Sequence, residues 1–245
     1  MGRRLRVMVG MLMLLVLSRT AAAQTAAPPP PPAREGSAEF AGVATSGNTS
    51  TRSIGLSGEI TFRPGKWVYN AKVGFINNEV ENVLAARSFV TTFRASRELN
   101  TVVALFGQFG YLTDRFSGID DRVAVEGGVS ATWIKGRQTF AVDGSAGYAN
   151  EQRLVPPNLS TAVAGAGARY KVKISETSDF TEELRYTQSL STGADYRCTN
   201  LAALTAKLNG LLSLKVSNLI RFVNAPVPGF EKTDLITSTA LVVTF

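Results

Sequence analysis

The sequence predicts an all-β protein, a transmembrane antiparallel up-and-down β-barrel of about 12 strands. Hydrophobic residues recur at every second position through most of the chain after Ala38, and no segment there shows the helical period. The alternating runs are about 11 to 14 residues long, whereas strands of soluble proteins average about five or six. Short and longer connections alternate between the runs, as they do in bacterial outer-membrane barrels.

The first 37 residues are predicted to precede the barrel. Residues 1–23 contain early arginines, an apolar run from Val7 to Leu17 and then small residues, which is the pattern of a secretory signal cleaved near Ala23. The apolar run is shorter than the roughly 20 residues that a membrane-spanning helix needs. Residues 24–37 include five consecutive prolines, which favour an extended conformation that cannot join a sheet. We interpret them as a periplasmic spacer, with the barrel at residues 38–245.

The charge of the chain does not favour a nucleic-acid partner. The formal net charge is +7, and removing the four arginines of residues 1–23 lowers it to +3. The basic balance therefore reflects the export signal in part. The partners we expect are outer-membrane lipid, the barrel-assembly machinery and small anionic solutes, and we expect no cofactor.

Twelve alternating runs define the predicted strands. Two of the runs are weak. In run 84–97 the main apolar residues are Phe89 and Phe93, and in run 179–189 Glu182 occupies an apolar position. If these two runs are not separate strands, the barrel has ten strands, which is the nearest alternative. An even strand number places both chain ends on the periplasmic side. The runs are 38–46, 51–63, 66–77, 84–97, 101–113, 122–134, 138–150, 159–174, 179–189, 197–208, 211–224 and 232–245.

A soluble β-sandwich would give the same alternation, so further features must separate the two folds. The predicted inward face is polar and rich in glycine, which suits a wet or filled lumen better than a sandwich core. A closed sheet also leaves no backbone edge unpaired in lipid. Aromatic residues lie near strand ends, where the interfacial girdles of a membrane barrel lie: Trp67, Tyr69, Tyr111, Trp133, Tyr148, Tyr170, Tyr186 and Phe245.

The predicted lumen carries more basic than acidic residues, by about five charges, which favours anionic solutes in a narrow channel. The alternative is that these charges pair and plug the lumen, leaving a structural or adhesive barrel that acts through its loops. The acidic residues counted are Glu59, Glu126, Asp143, Glu183 and Asp234. The basic residues predicted to line the lumen are Lys72, Arg94, Arg122, Arg169, Lys171, Lys173, Arg185, Lys207, Lys215 and Arg221.

No catalytic site is predicted. The sequence contains no histidine, which excludes a histidine-containing triad and histidine metal ligands within this chain. Glu182 and Glu183 are adjacent on a strand and point to opposite faces, so they cannot act as a carboxylate pair. The single cysteine, Cys198, is given no role. One predicted loop carries three acidic residues around Gly118: Asp114, Asp120 and Asp121. The ordinary interpretation is a turn whose acids form salt bridges, and the alternative is a binding site for a hard cation such as calcium.

The run at residues 232–245 ends in an aromatic residue and is predicted to pair with the first strand, which closes the sheet. Leu241, Val243 and Phe245 are its outward apolar positions near the end. We expect them to act as the signal that the assembly machinery recognises.

Two stretches carry a resemblance to a known family. They are "GNTSTRSIGLSGEITF" at residues 47–62, with Trp67 after it, and "DRFSGIDDRVAVEGGVSATW" at residues 114–133. The chain resembles the YdiY-like family of salt-induced outer-membrane proteins, a domain of unknown function. In the second stretch the family-like loop residues are Asp114, Phe116, Gly118, Asp120 and Asp121. The resemblance implies a β-barrel in the outer membrane of a Gram-negative bacterium whose molecular activity is poorly defined, and it supplies no catalytic residues. The two roles that we expect are a small channel for anionic solutes and a stress-responsive envelope component.

Overall fold

The computed structural model describes residues 32–45, 51–80, 83–115 and 117–245. The predicted signal segment and most of the predicted spacer lie outside these residues. The regular structure of the described part consists of twelve β-strands: β1 (Arg34–Thr45), β2 (Thr51–Phe62), β3 (Trp67–Val80), β4 (Val83–Glu98), β5 (Val103–Asp114), β6 (Ile119–Lys135), β7 (Gln138–Arg153), β8 (Leu159–Lys173), β9 (Ser178–Ser189), β10 (Tyr196–Lys207), β11 (Leu212–Val223) and β12 (Thr233–Thr244).

The strands form a closed barrel in which each one pairs antiparallel with its neighbours in sequence. The last strand, β12, pairs with β1. The predicted fold and its twelve strands are confirmed, including the two weak runs, which are β4 and β9. Within the described ranges, no helix is long and apolar enough to cross a membrane.

Several strands are longer than the alternation predicted. β1 begins at Arg34, inside the predicted spacer, because Arg34–Ser37 pair with Glu59–Phe62. β6 begins at Ile119 and β7 continues to Arg153, so each takes residues from a predicted loop. Apolar alternation marks only the part of a strand with an apolar exterior, whereas backbone pairing continues into polar sequence at the barrel ends.

The exterior of the barrel is apolar along most of its height. Leu235 (66% exposed), Val125 (57%) and Phe40 (54%) are examples of large side chains on this face. Aromatic side chains form two groups on the exterior. Stacked pairs near one end are Trp67–Tyr69 and Trp133–Phe140, each with ring centroids 6.0 Å apart, and pairs near the other end are Phe89–Tyr111 and Tyr196–Phe222.

The two ends of the barrel differ in their connections. At the short-turn end, Gly65 and Gly136 adopt positive φ angles of 62° and 57° in tight turns, a conformation that glycine adopts without strain. Asn100 and Asn209 fix two other turns, because each side-chain oxygen accepts hydrogen bonds from backbone N–H groups two and three residues later. The opposite end, which we call the long-loop end, carries the connections after β3, β5, β7, β9 and β11.

Candidate functional site in the barrel lumen

Ion pairs fill much of the barrel interior. Lys72 lies 3.8 Å from Glu183, Arg94 lies 3.6 Å from Asp143, and Arg221 lies 2.6 Å from Asp114. Each of these pairs joins strands that are not neighbours in the barrel, so each contact crosses the lumen. The basic residues of the predicted lumen set that form ion pairs are Lys72, Arg94, Arg122, Arg169, Arg185, Lys215 and Arg221.

Arg185 is the centre of the network at mid-height. Its guanidinium donates hydrogen bonds to Glu126, to Asp143 Oδ2 at 2.7 Å and to Ser145 Oγ at 2.9 Å. Arg94 approaches the same Asp143 from β4, and its guanidinium carbon lies 3.5 Å from the centroid of the Phe106 ring. A planar guanidinium forms both kinds of contact well, which suits arginine to these two positions.

Glycines in β6, β7 and β8 make room for this network. A Cβ atom at Gly165 would lie 2.5 Å from Arg185 Nη2, and one at Gly167 would lie 2.8 Å from Asp143 Oδ1. A Cβ at Gly147 would lie 2.0 Å from the Val125 carbonyl oxygen. The glycine-rich inner face therefore permits close approach of backbone and charged side chains.

A second cluster, which we call the arginine cluster, closes much of the long-loop end. Arg122, Arg153 and Arg197 surround Glu151, with N–O distances of 2.8, 2.7 and 2.7 Å. Glu151 is only 1% exposed. One carboxylate thus accepts charge-assisted hydrogen bonds from three guanidiniums, which compensate its burial.

Two loops meet above the arginine cluster. Gly118, with φ at 74°, lies directly under the ring of Phe230, and a Cβ there would come within 2.5 Å of that ring. Ile119 and Val227 are buried beside them. Ser117 Oγ donates a hydrogen bond to Asp234 at 3.1 Å, which links the β5–β6 loop to β12.

The family-like loop residues have different surroundings. Asp114 is buried and pairs with Arg221, Gly118 packs under Phe230, and Asp120 is exposed. Phe116 lies outside the described residues, and Asp121 follows in β6. In the part of the chain that the structure describes, no three acidic or cysteine side chains are grouped as metal ligands would be.

Open space lies on the other side of the lumen, against β1–β4 and β8–β12. One cavity of about 380 Å³ lies toward the short-turn end, and a second of about 370 Å³ lies above it. They adjoin, because both are lined by Glu39, Glu59, Lys72, Glu183, Leu201 and Lys215. The ion pairs around Arg185 and Glu151 are therefore off-centre, and they leave two adjoining cavities, which we call the path, along the opposite wall of the barrel.

Three predicted lumen lysines lie at the short-turn end of this path. Lys171 lines the lower cavity, and Lys173 and Lys207 follow the same inward register on β8 and β10. None of the three forms an ion pair with any residue in the described ranges. They are the basic residues of the predicted set that remain available to a solute.

The predicted excess of about five basic charges in the lumen is too large. Glu151 follows the end of the predicted run 138–150, and β7 carries it into the interior beside Arg153. Glu39 and Arg197 lie on inward positions of their own runs, so the alternation alone was sufficient to find them. The acidic residues that the sequence count omitted are Glu39, Asp114, Glu151, Asp179 and Asp195.

The residues predicted to form the assembly signal lie where β12 meets β1. Leu241 pairs with Phe40 and Val243 with Ala38, all on the exterior. Phe245 exchanges two backbone hydrogen bonds with Gly36, at 2.8 and 3.0 Å, and its ring covers that glycine. We name this β1–β12 junction the seam.

A closed twelve-stranded barrel with an apolar exterior and a charged lumen has the architecture of outer-membrane β-barrels. Solved barrels of this class are similar in fold. A NanC porin superposes with a TM-score of 0.50 at 8% sequence identity, covering 86% of this chain and 97% of that one. A KdgM porin in complex with disordered oligogalacturonate superposes with a TM-score of 0.46 at 12% sequence identity, covering 85% of this chain and 98% of that one. The translocator domain of the autotransporter NalP from Neisseria meningitidis superposes with a TM-score of 0.45 at 12% sequence identity, covering 86% of each chain.

The sequence itself matches a family model described as "Protein of unknown function, DUF481" over residues 38–245. The chain belongs to this family, which confirms the family predicted from its sequence motifs. No curated protein matches the chain.

Proposed function

We propose that the protein is a channel of the bacterial outer membrane for small anionic solutes and is not an enzyme. The observation that carries this proposal is the pair of adjoining cavities along one wall of the lumen. The short-turn end faces the periplasm, following the general arrangement of such barrels. The lower cavity then forms a periplasmic vestibule, and the arginine cluster narrows the extracellular end.

The charges along the path support a preference for anions. Glu39, Glu59 and Glu183 line the vestibule, and each is paired with a lysine or arginine. Lys171, Lys173 and Lys207 at the mouth form no ion pair within the described part of the chain and add positive charge there. Asp179 is the acid in register with Lys173. In a narrow pore with a low-dielectric wall, such an excess raises the local concentration of anions.

Planar-bilayer recordings of the refolded protein test the proposal. Under a salt gradient, the reversal potential of the wild type should show preference for chloride. The triple variant Lys171→Glu, Lys173→Glu and Lys207→Glu should shift that potential toward cation preference, because the three side chains at the mouth change from positive to negative charge. Lys135→Glu is the matched control, since Lys135 is exposed at the same end but lies at the exterior position that follows Trp133. It should leave the selectivity unchanged.

Two outcomes of these recordings would contradict the proposal. A cation-selective wild type would overturn the argument from the lysines. Silence across a wide voltage range would favour the second candidate function, a plugged barrel that acts through its loops. The observation favouring that candidate is the packed long-loop end, where the arginine cluster lies beneath the Gly118–Phe230 contact.

A further inference from the structure

The seam differs from every other junction in the barrel wall. β1 and β12 pair in register over four positions, from Ser37 opposite Thr244 to Phe40 opposite Leu241. By contrast, β1 and β2 pair over twelve positions, and β11 and β12 over eleven. Among the residues that the structure describes, 41–45 of β1 and the residues that would face them, 236–240 of β12, have no ladder partner across the seam. The ladder closes the seam at the short-turn end, and we call the stretch without a ladder, residues 41–45 and 236–240, the open part of the seam.

The upper cavity lies directly behind the open part of the seam. Ala41 of β1 lines it on one side, and Ile236, Ser238 and Ala240 of β12 line it on the other. Below the opening, Lys215 Nζ contacts both carboxylate oxygens of Glu39 at 2.8 and 3.0 Å, tying β11 to β1 across β12. The open part of the seam thus has a fixed lower limit and lies between the upper cavity and the exterior of the wall.

One wall of this cavity is apolar. Leu201, Leu219 and Ile236 are in register with one another across β10, β11 and β12, so their side chains form a continuous row facing the lumen. Ile76 and Val90 line the cavity from β3 and β4. An aqueous pore for ions does not need such a wall, whereas an acyl chain gains free energy from each methylene that it buries there.

We propose that the open part of the seam is a lateral portal, through which the acyl chain of a single-chain membrane amphiphile enters the upper cavity. The chain lies on the row of Leu201, Leu219 and Ile236, and its polar head is left beside Ser238 and Lys215. The bilayer supplies the occupant, because hydrocarbon is what lies outside a transmembrane barrel at this height. Water in the lumen and the polar head satisfy backbone groups of β12 that an open edge in dry lipid would leave unpaired. This proposal does not depend on ion conduction.

Tryptophan quenching by dibromostearic acid in phospholipid vesicles tests the portal. The reporter is Leu219→Trp in a full-length background with Trp67→Phe, Trp133→Phe and Cys198→Ser. Cysteines at positions 41 and 240 close the opening when oxidised, because these positions would face each other if the ladder continued by one residue. Quenching should fall several-fold on oxidation and return on reduction.

A matched disulfide links position 41 to the other neighbouring strand. Ala41→Cys with Gly55→Cys cross-links β1 to β2, where the pair is already in register and a Cβ at Gly55 would lie 3.5 Å from Ala41 Cβ. This disulfide should leave the quenching unchanged. A reporter on the exterior, Ile220→Trp, should be quenched in all forms, which shows that the probe has partitioned into the bilayer.

A second way of closing the portal needs no oxidation. Ala240→Phe places a ring in the opening and should lower the quenching, whereas Ala240→Ser should not. The proposal is overturned if the reduced reporter is not quenched, if neither closed form lowers the quenching, or if the β1–β2 disulfide lowers it equally. An oligomer joined through the open strand edges, without quenching of the lumen reporter, would also overturn it and would identify a second copy as the occupant.

Discussion

Glu182 and Glu183 are adjacent in β9 and lie on opposite sides of the barrel wall. Glu183 faces the lumen, 2.9 Å from Arg169 and 3.8 Å from Lys72. Glu182 lies on the exterior, in register with Ala202 and Tyr170, and accepts a hydrogen bond from Asn200 at 3.2 Å. Two identical side chains therefore experience opposite environments.

We predict that replacing each glutamate by leucine has opposite effects on stability. Glu182→Leu should raise the free energy of unfolding by about 1 kcal/mol, because it removes an ionisable group from the lipid-facing surface. Glu183→Leu should lower it by about 1–3 kcal/mol, because Arg169 loses its partner in the lumen. Urea unfolding of the barrel in vesicles, followed by tryptophan fluorescence, measures both. A change in the same direction for both variants would contradict the assigned faces.

Alternation in the sequence was sufficient to predict the inward positions of most lumen residues, since a strand has a period of two. Alternation was not sufficient where a strand continues beyond the apolar exterior into polar sequence at the end of the barrel. Glu151 and Arg153 lie in such a segment, so the arginine cluster was missed. The partners of each charge were also beyond prediction, because Arg94 and Asp143 meet only when β4 and β7 curve around the same lumen.

At the scale of the elements, the seam is the junction with the shortest ladder. Its four registered pairs are extended by the two backbone hydrogen bonds between Gly36 and Phe245. The sequence predicted that the first and last strands pair, because a barrel must leave no edge. It did not predict where the pairing stops, since both strands continue their alternation past Phe40 and Leu241.

We predict that deleting Phe245 impairs barrel formation more than Phe245→Ala does. The deletion removes both the ring and two backbone hydrogen bonds, whereas alanine removes only the ring that covers Gly36. The yield of folded barrel, read from heat-modifiable migration on a gel, should fall in the order wild type, alanine variant, deletion. Charged residues at Leu241 and Val243 should also lower the yield, with export unchanged. Normal yield in the deletion would show that the seam does not need this contact.

Over the whole molecule, contacts across the lumen restrain strands that share no ladder. The arginine cluster joins β6, β7 and β10, the Arg185 network joins β6, β7 and β9, and the Lys215–Glu39 pair joins β11 to β1. The Arg185 network and the arginine cluster occupy one side of the interior, and the cavities occupy the other, where the Lys72–Glu183 and Lys215–Glu39 pairs line them. A twelve-stranded barrel is thus wide enough to contain both a packed region and an open path.

We predict that Glu151→Gln both destabilises the barrel and widens its extracellular end. The variant leaves three largely buried guanidiniums around a neutral amide, with the carboxylate of Asp195 3.9 Å from Arg197. Breaking a buried charge network by removing one partner costs about 3–5 kcal/mol. Mutual repulsion of the arginines should then loosen the cluster, so single-channel conductance should rise while urea stability falls. Glu176→Gln is the control, because Glu176 pairs with Arg137 at the exposed short-turn end and should change neither quantity. Lower stability with unchanged conductance would show that the arginine cluster braces the wall without constricting the path.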